Sequence, residues 1–353
     1  MKILFILPSL NLYGGTPKKT LDLIKNIDGD FIVYTYDENY NEFIETFENA
    51  GATVFTNKNN ITLVRHYIQL RKIINNYDIQ LVQTQFFKGE LLGFISKIIK
   101  KNIRLISAFV GPFDSSLTKK IIQNFIYRHV DFIIYVSNYV KKEKEKQFNI
   151  LKSKNSKIIF NGSKRRASSD LNIKKNKLEL LTIGGLNNWK NIPFLIDVVD
   201  LLKCEGIDFH LSIIGDGYQK NEIAKKIKKL NLTNSVTIQG YVRNVGSHIE
   251  SCDIYLHPSQ SEGFGIAVIE AMHAKKAIIV SDKGALPEII CNEFSGIIVN
   301  CENAKDWKNA ILKIYSDRKY KNYIASNAQK IAEEKFSIEV FSQNYNDTYE
   351  KFN

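Results

Sequence analysis

The sequence predicts an α/β protein made of two doubly wound domains, each a parallel sheet covered by helices. Three observations carry this. Apolar β-like runs alternate with amphipathic helical stretches along the whole chain. The alternation pauses once, at the polar, turn-rich stretch Asn161–Asp170, and then resumes. The length, 353 residues, exceeds what one ordinary core holds.

The first run, Ile3–Leu7, follows Met1-Lys2 and resembles the start of a signal peptide. It is short, however, and Gly14-Gly15-Thr16-Pro17 stands where a small-residue cleavage site would be, so a buried first strand is expected. Phe31–Tyr36, Thr53–Phe55, Ile79–Gln83, Arg104–Phe109, Phe132–Val136 and Lys157–Phe160 read as the next strands. Helical stretches such as Lys18–Asn26, Val64–Asn75 and Gly89–Ile99 separate them. The second series is Leu178–Ile183, His210–Ile214, Val236–Gln239, Ile254–His257, Ala277–Val280 and Gly296–Val299. Pro193–Lys203 reads as a helix with proline in its first turn. Ile338–Phe352 is amphipathic and no strand follows it, so from pattern alone it can pack on either domain.

Composition narrows the class. The chain is 44% hydrophobic, as soluble globular proteins are. No run of some 18 apolar residues is present to span a membrane. Four dispersed cysteines without a CxxC pair predict neither a zinc site nor a disulfide framework, and fit a reducing cytoplasm. The net charge of +12 is uneven: residues 88–157 hold fifteen Lys/Arg against five Asp/Glu. Solvated faces of a basic protein account for this, and so does a surface for an anionic partner. No zinc finger or RNA-binding sheet signature accompanies the excess, so an anionic membrane ranks above nucleic acid.

Four places carry candidate chemistry. Gly14-Gly15 follows the first strand and lets backbone approach a phosphate at a helix start; a plain turn would use it too. Gly184-Gly185 follows the first strand of the second series, and Lys190 stands just before the next helix, where a lysine serves as a point charge for phosphate. Gly215-Asp216-Gly217 lacks the third glycine and the distant acid of a dinucleotide fingerprint, and reads as a turn at the cleft edge. The fourth is Glu262-Gly263-Phe264-Gly265-Ile266, with Glu270 eight positions after Glu262. Carboxylates accept paired hydrogen bonds from vicinal hydroxyls, and amides near Gly265 and Ile266 would face an anion at the helix start. Glu270 falls in the apolar run Ile266–Met272, where an unpartnered acid is costly. Asp28-Gly29-Asp30 precedes a strand and reads as a turn, and the six histidines show no metal-ligand spacing, so no metal site is expected.

Read in order, Gly14-Gly15, Val136-Ser137, Asn161-Gly162, Lys190, Gly215-Asp216-Gly217, Pro258-Ser259, the pair Glu262 and Glu270, Ser281-Asp282 and Gly284-Ala285-Leu286-Pro287-Glu288 cover nearly the whole chain. This set resembles the retaining glycosyltransferases of family 4. The spacing of the two acids is loose by itself; the ordered set is specific. The resemblance implies the GT-B fold, two Rossmann-like doubly wound domains facing across a cleft. Residues 1–164 would be the acceptor side, with a C-terminal helix at about 338–353 packing back on it. Residues 165–337 would hold the donor.

The resemblance further implies retaining, metal-independent transfer of a sugar, with UDP-sugar the expected donor. The acceptor would be a glycan, lipid-linked, in cell-surface polysaccharide biosynthesis such as capsule, lipopolysaccharide or exopolysaccharide. Lys190 and Glu262 are the candidate catalytic residues. Gly14, Gly15, Gly185, Lys190, Gly215, Gly263, Phe264, Gly265, Ile266 and Glu270 are the candidate donor-binding residues, with Lys190 on the diphosphate and Glu270 on the ribose. No cofactor, metal or nucleic acid is expected. The protein would be cytoplasmic and peripheral on the inner membrane face, with Ser115–Val130 the candidate docking helix. The chain departs from the family pattern at Gly185, where an arginine is usual, and at Gln83, Gln85 and Ser107–Gly111, where histidines are common. Arg243 and Lys283 are candidate substitute cations. A non-catalytic member that binds a glycan or partner is the alternative; the presence of Lys190, Glu262 and Glu270 opposes it.

Overall fold

The computed structural model describes residues 1–12, 15–37, 43–57, 61–112, 116–164 and 177–352. The chain divides into two compact units. The first comprises Met1–Gly162 and Ile338–Asn353, the second Ser163–Ser337. The boundary falls between Gly162 and Ser163 because Ser163 pairs with Ser337 and its amide donates to the Phe336 carbonyl at 2.9 Å. Residues 165–170 of the expected linker lie outside the described residues.

The first unit runs β1 (Lys2–Leu7), α1 (Gly15–Asn26), β2 (Asp30–Thr35), α2 (Ile44–Glu48), β3 (Ala52–Phe55), α3 (Leu63–Tyr77), β4 (Leu81–Thr84), α4 (Phe86–Ile99), β5 (Arg104–Phe109), α5 (Leu117–Arg128), β6 (Phe132–Tyr135), α6 (Asn138–Gln147) and β7 (Ser156–Ile158). The second runs β8 (Leu178–Ile183), α7 (Ile192–Cys204), β9 (Phe209–Ile214), α8 (Lys220–Lys229), β10 (Val236–Gly240), α9 (Gly246–Ser251), β11 (Ile254–His257), α10 (Ile266–His273), β12 (Ala277–Ser281), α11 (Leu286–Ile289), β13 (Ile297–Val299), α12 (Ala304–Ser316) and α13 (Arg318–Lys335). The chain then re-enters the first unit as α14 (Ile338–Tyr349).

All thirteen expected strands form, their ends shifted by up to two residues, because ladder partners rather than hydropathy set where a strand stops. The seven-stranded sheet has the order β3-β2-β1-β4-β5-β6-β7, the six-stranded one β10-β9-β8-β11-β12-β13. Every pairing is parallel. The winding reverses beside β1 and beside β8, and open α/β sheets bind ligands outside the strand C-termini at such reversals.

Local signals set several helix ends. Thr62 caps α3, Ser137 caps α6, and Asn303 and Asp317 cap α12 and α13, each accepting from a backbone amide of the first turn. In the first core, Phe5, Val33, Ile106 and Ile134 pack with Leu23 and Ile24 of α1 and with Phe341, Tyr345 and Tyr349 of α14. The Tyr349 hydroxyl donates to Gln83 Oε1 at 2.8 Å. That aromatic stripe explains where the last helix goes: burying each such ring contributes roughly 1.5–3 kcal/mol. The second core surrounds Trp307, which is fully buried with its indole N–H on the Asn300 carbonyl at 2.9 Å.

Candidate functional site

The C-terminal edge of the second sheet gathers the charged residues. His257 ends β11 and the loop 258–265 carries Glu262 before α10 begins. A 3-10 turn, Asn188–Lys190, follows β8 and presents Lys190; its Asn187 cap accepts from the Lys190 amide at 3.2 Å. Lys190 Nζ donates to Glu262 Oε2 at 2.5 Å. His257 Nε2 lies 2.7 Å from the same oxygen, and the Ser259 hydroxyl donates to it at 3.3 Å. The Ser281 hydroxyl fixes this loop by donating to the Ser259 carbonyl at 2.5 Å.

The electrostatics follow from burial. The Lys190 and Glu262 side chains are only 19% and 13% exposed, so this pair is screened far less than one on the surface. Burial works against the ionised Glu262 carboxyl, yet the Lys190 charge and the His257 hydrogen bond hold it well below the usual carboxylate range. Burial, and then the Lys190 charge, pull the His257 imidazole below its ordinary value. His257 is therefore neutral at pH 7. Its Nε2–H donates to Glu262, which leaves Nδ1 to accept from the Tyr255 hydroxyl 3.2 Å away. A carboxylate so held is ionised at neutral pH and balances the Lys190 charge.

Backbone geometry supports the same loop. Gly265, with φ of 102°, opens α10 in the left-handed region, and Glu270 lies just over one turn in, buried at 6% exposure. Gly284 has φ of 65°, and a Cβ there would stand 2.4 Å from the Glu262 carbonyl oxygen. The Ala285 amide donates to that oxygen at 2.9 Å. The loop 283–285 thus presses directly on the backbone that carries Glu262.

The structure brings Lys190 and Glu262 together, and sets Gly265, Ile266 and Glu270 on one short helix. Gly185 is exposed beside the Gly215-Asp216-Gly217 turn, where the Leu186 amide donates to the Asp216 carbonyl at 2.9 Å. Phe264 contributes through its backbone rather than its ring. Its side chain is 3% exposed and packs edge-on against Phe336 at 5.7 Å, so it is a core anchor and only its backbone is left for a ligand. Gly263 precedes it in the same loop. Gly15 begins α1 in the first unit, and Gly14 lies outside the described residues. Arg243 is exposed in the loop after β10, and Lys283 is half-buried with its ammonium on Asp282 at 3.3 Å.

His257 escaped the sequence reading, which tested histidines only for metal spacing. The signal was its place: a polar residue closing an apolar strand, at the edge where ligands bind. Among the described residues, no group of three or more His, Cys, Asp or Glu gathers as a metal ligand set. No helix among them is long and apolar enough to cross a membrane.

Comparison with known proteins places this geometry. Residues 163–331 match the family model described as Glycosyl transferases group 1. An uncharacterized glycosyltransferase of Methanocaldococcus jannaschii, MJ1069, is 28% identical over 83% of this chain and 79% of its own length. The Campylobacter jejuni N,N'-diacetylbacillosaminyl-diphospho-undecaprenol alpha-1,3-N-acetylgalactosaminyltransferase is 24% identical over 83% of this chain and 82% of its own. Anabaena HepE, solved in complex with UDP-glucose, superposes with a TM-score of 0.86 at 22% identity, covering 99% of this chain and 100% of that one. The expected GT-B fold is therefore the fold of this chain.

Proposed function

Because the chain is a glycosyltransferase of the GT-B fold, we propose that it transfers a sugar from a UDP-sugar to a lipid-linked glycan, with retention at the anomeric carbon and no metal ion. The observation that carries this is the Lys190–Glu262–His257 cluster at the C-terminal edge of the second sheet, with Glu270 buried on the helix that follows the Glu262 loop. The UDP-glucose complex of HepE and the diphospho-undecaprenol acceptor in the Campylobacter relative's name support the donor and acceptor classes.

In this reading the donor diphosphate takes over Lys190, which Glu262 holds in place beforehand. Lys190 and the first amides of α10 stabilise the charge that grows on the leaving diphosphate. Glu270 accepts from the ribose hydroxyls. Glu262 stays ionised and orients Lys190 and the sugar. The acceptor hydroxyl attacks from the face that the diphosphate leaves, and a leaving phosphate oxygen receives its proton. Rate then comes from positioning and leaving-group stabilisation.

The first unit supplies a membrane-facing candidate. On α5, Leu117, Ile121, Ile122 and Phe125 are exposed beside Lys119, Lys120 and Arg128. Helices α3, α4 and α5 carry three, two and three Lys/Arg, and their one acid, Glu90, is buried. A basic helix surface with exposed apolar side chains suits an anionic bilayer on the cytoplasmic side.

Thermal unfolding with UDP and UDP-sugars in EDTA tests the core of the proposal. Saturating nucleotide at a hundred times its Kd should add about 2.7 kcal/mol, and Glu270→Ala should lose most of that gain. No stabilisation by any nucleotide would sink the reading. Nucleotide binding without turnover on any lipid-linked acceptor would favour the non-catalytic alternative.

A further inference from the structure

The bonds to Glu262 are lopsided. Lys190 Nζ, His257 Nε2 and the Ser259 hydroxyl all meet its Oε2, and none reaches Oε1. Among the described residues, Lys190 and His257 are the basic groups paired with this carboxylate. His257 is 2% exposed, and the ring of Tyr255, two residues back on β11, stacks on it at 6.0 Å. The buried Tyr255 hydroxyl has two acceptors in reach: His257 Nδ1 at 3.2 Å and the Ile183 carbonyl, which ends β8, at 3.4 Å.

A hydroxyl carries one proton, so it serves one of these acceptors at a time. With a neutral imidazole, Nε2–H faces Glu262 and the Tyr255 proton turns to Nδ1. With an imidazolium, Nδ1–H donates to the Tyr255 oxygen and the tyrosine proton turns to Ile183. Both states are bonded without the movement of a heavy atom. Burial, then the Glu270 and Glu262 charges and Cys252, hold the Tyr255 phenol well above its ordinary range, so it stays protonated throughout.

In the resting site Lys190 neutralises Glu262 and, after burial, is what disfavours a charge on His257. A diphosphate that takes the Lys190 ammonium leaves Glu262 a buried carboxylate short of a cation, which is costly. Of the two groups then able to gain a proton, the imidazole is the more basic, with an ordinary value of about 6.5 against about 4.3 for a Glu carboxyl.

We propose that His257 is the positioning residue that takes over Glu262 when the donor binds, a reading that rests on the transferase function above. As the diphosphate captures Lys190, one proton from solvent adds to His257 Nδ1 and the Tyr255 proton swings to Ile183. An imidazolium then replaces the ammonium as the cation on Glu262 Oε2. The carboxylate keeps its place and its charge, and the Lys190 charge is released to the leaving diphosphate. Donor binding and proton uptake form one linked equilibrium, so lowering the pH from 8 to 6.5 tightens the donor.

Titration calorimetry on the full chain tests this in EDTA at pH 6.5, in PIPES and in Bis-Tris, buffers whose ionisation enthalpies differ widely. The probes are UDP-glucose, UDP-galactose and their N-acetylamino counterparts, whose phosphates hold no proton that titrates near neutrality. The wild type should take up about 0.3–0.8 proton per bound nucleotide and bind at least about threefold tighter at pH 6.5 than at pH 8. His257→Gln keeps an amide donor but has no site to protonate, so its binding should carry no linked proton and no such pH dependence. Tyr255→Phe removes the oxygen that receives Nδ1–H, and should at least halve the uptake. Equal heats in the two buffers for a wild type that binds, or wild-type uptake in His257→Gln, would overturn the inference and leave the transferase reading standing. A wild type that gives no heat with any UDP-sugar would overturn that reading, and the inference with it.

Discussion

Glu262 depends on two donors of different kinds, a charged ammonium and a neutral imidazole, and pH separates them. Its depressed carboxyl contributes stability that is whole above the ordinary Glu value of about 4.3 and is lost only as pH falls through the lower folded value. His257 is depressed as well, so the unfolded chain takes up its proton first, and that contribution erodes as pH falls below about 6.5. His257→Leu should therefore flatten the loss of Tm between about pH 6.5 and 5 relative to wild type, which pH-series calorimetry reads directly. Gly284 tests the loop behind the carboxylate. Gly284→Ala pushes a methyl to 2.4 Å from the Glu262 carbonyl, whereas Gly51, with φ of 97°, has nothing within 4 Å. Both substitutions strain the backbone by about 1–3 kcal/mol, but only Gly284→Ala should also weaken UDP binding in a titration.

Two helices of the first unit carry predictions of their own. Helix α5 keeps Gln123, Ile126 and Tyr127 inward and leaves Leu117, Ile121, Ile122 and Phe125 outward, against the ordinary pattern of a helix that only covers a sheet. Pelleting with vesicles of mixed neutral and anionic lipid should show salt-sensitive binding. Ile121→Glu with Phe125→Glu should abolish it, and Lys119→Glu with Lys120→Glu should remove its salt dependence. Helix α14 is tied to α1 through Lys19, 5% exposed, whose ammonium lies 4.9 Å from the Tyr345 ring centre and 5.7 Å from that of Phe341. Burial pulls that ammonium down to about 7. The unfolded chain then binds more protons between about pH 7 and 10, so this site's cost is greatest at and below neutral pH and lessens as pH rises. Lys19→Met should stabilise the protein by about 1–4 kcal/mol near pH 7, and urea titrations at pH 7 and 9.5 should find the advantage narrowing.

At the scale of the molecule, two sheets of like winding carry different chemistry. The second unit holds the charged cluster and the group 1 match; the first holds the basic helices and the chain's own C-terminal helix. Hydrogen exchange with UDP in EDTA should therefore protect amides of the loops after β8, β9 and β11, with the first unit's sheet unchanged. Protection confined to the first unit would refute the placement of the donor.

The sequence by itself determined the architecture. Parallel strands buried on both faces read as plain apolar runs, and helices between them as amphipathic ones, so every strand was legible from pattern. It also marked Lys190 and Glu262 as loop residues after strands, and Glu270 as an acid within the helix that follows. Tertiary structure alone decided what those residues touch. A one-dimensional pattern does not show that Lys190 and Glu262, 72 positions apart, share a hydrogen bond, or that His257 completes it. Nor does it show that the Phe264 ring packs against Phe336 in the core. The physical reason is the same in each case. Burial and charge pairing are properties of neighbours in space, and the chain supplies those neighbours from distant segments only once both sheets have formed.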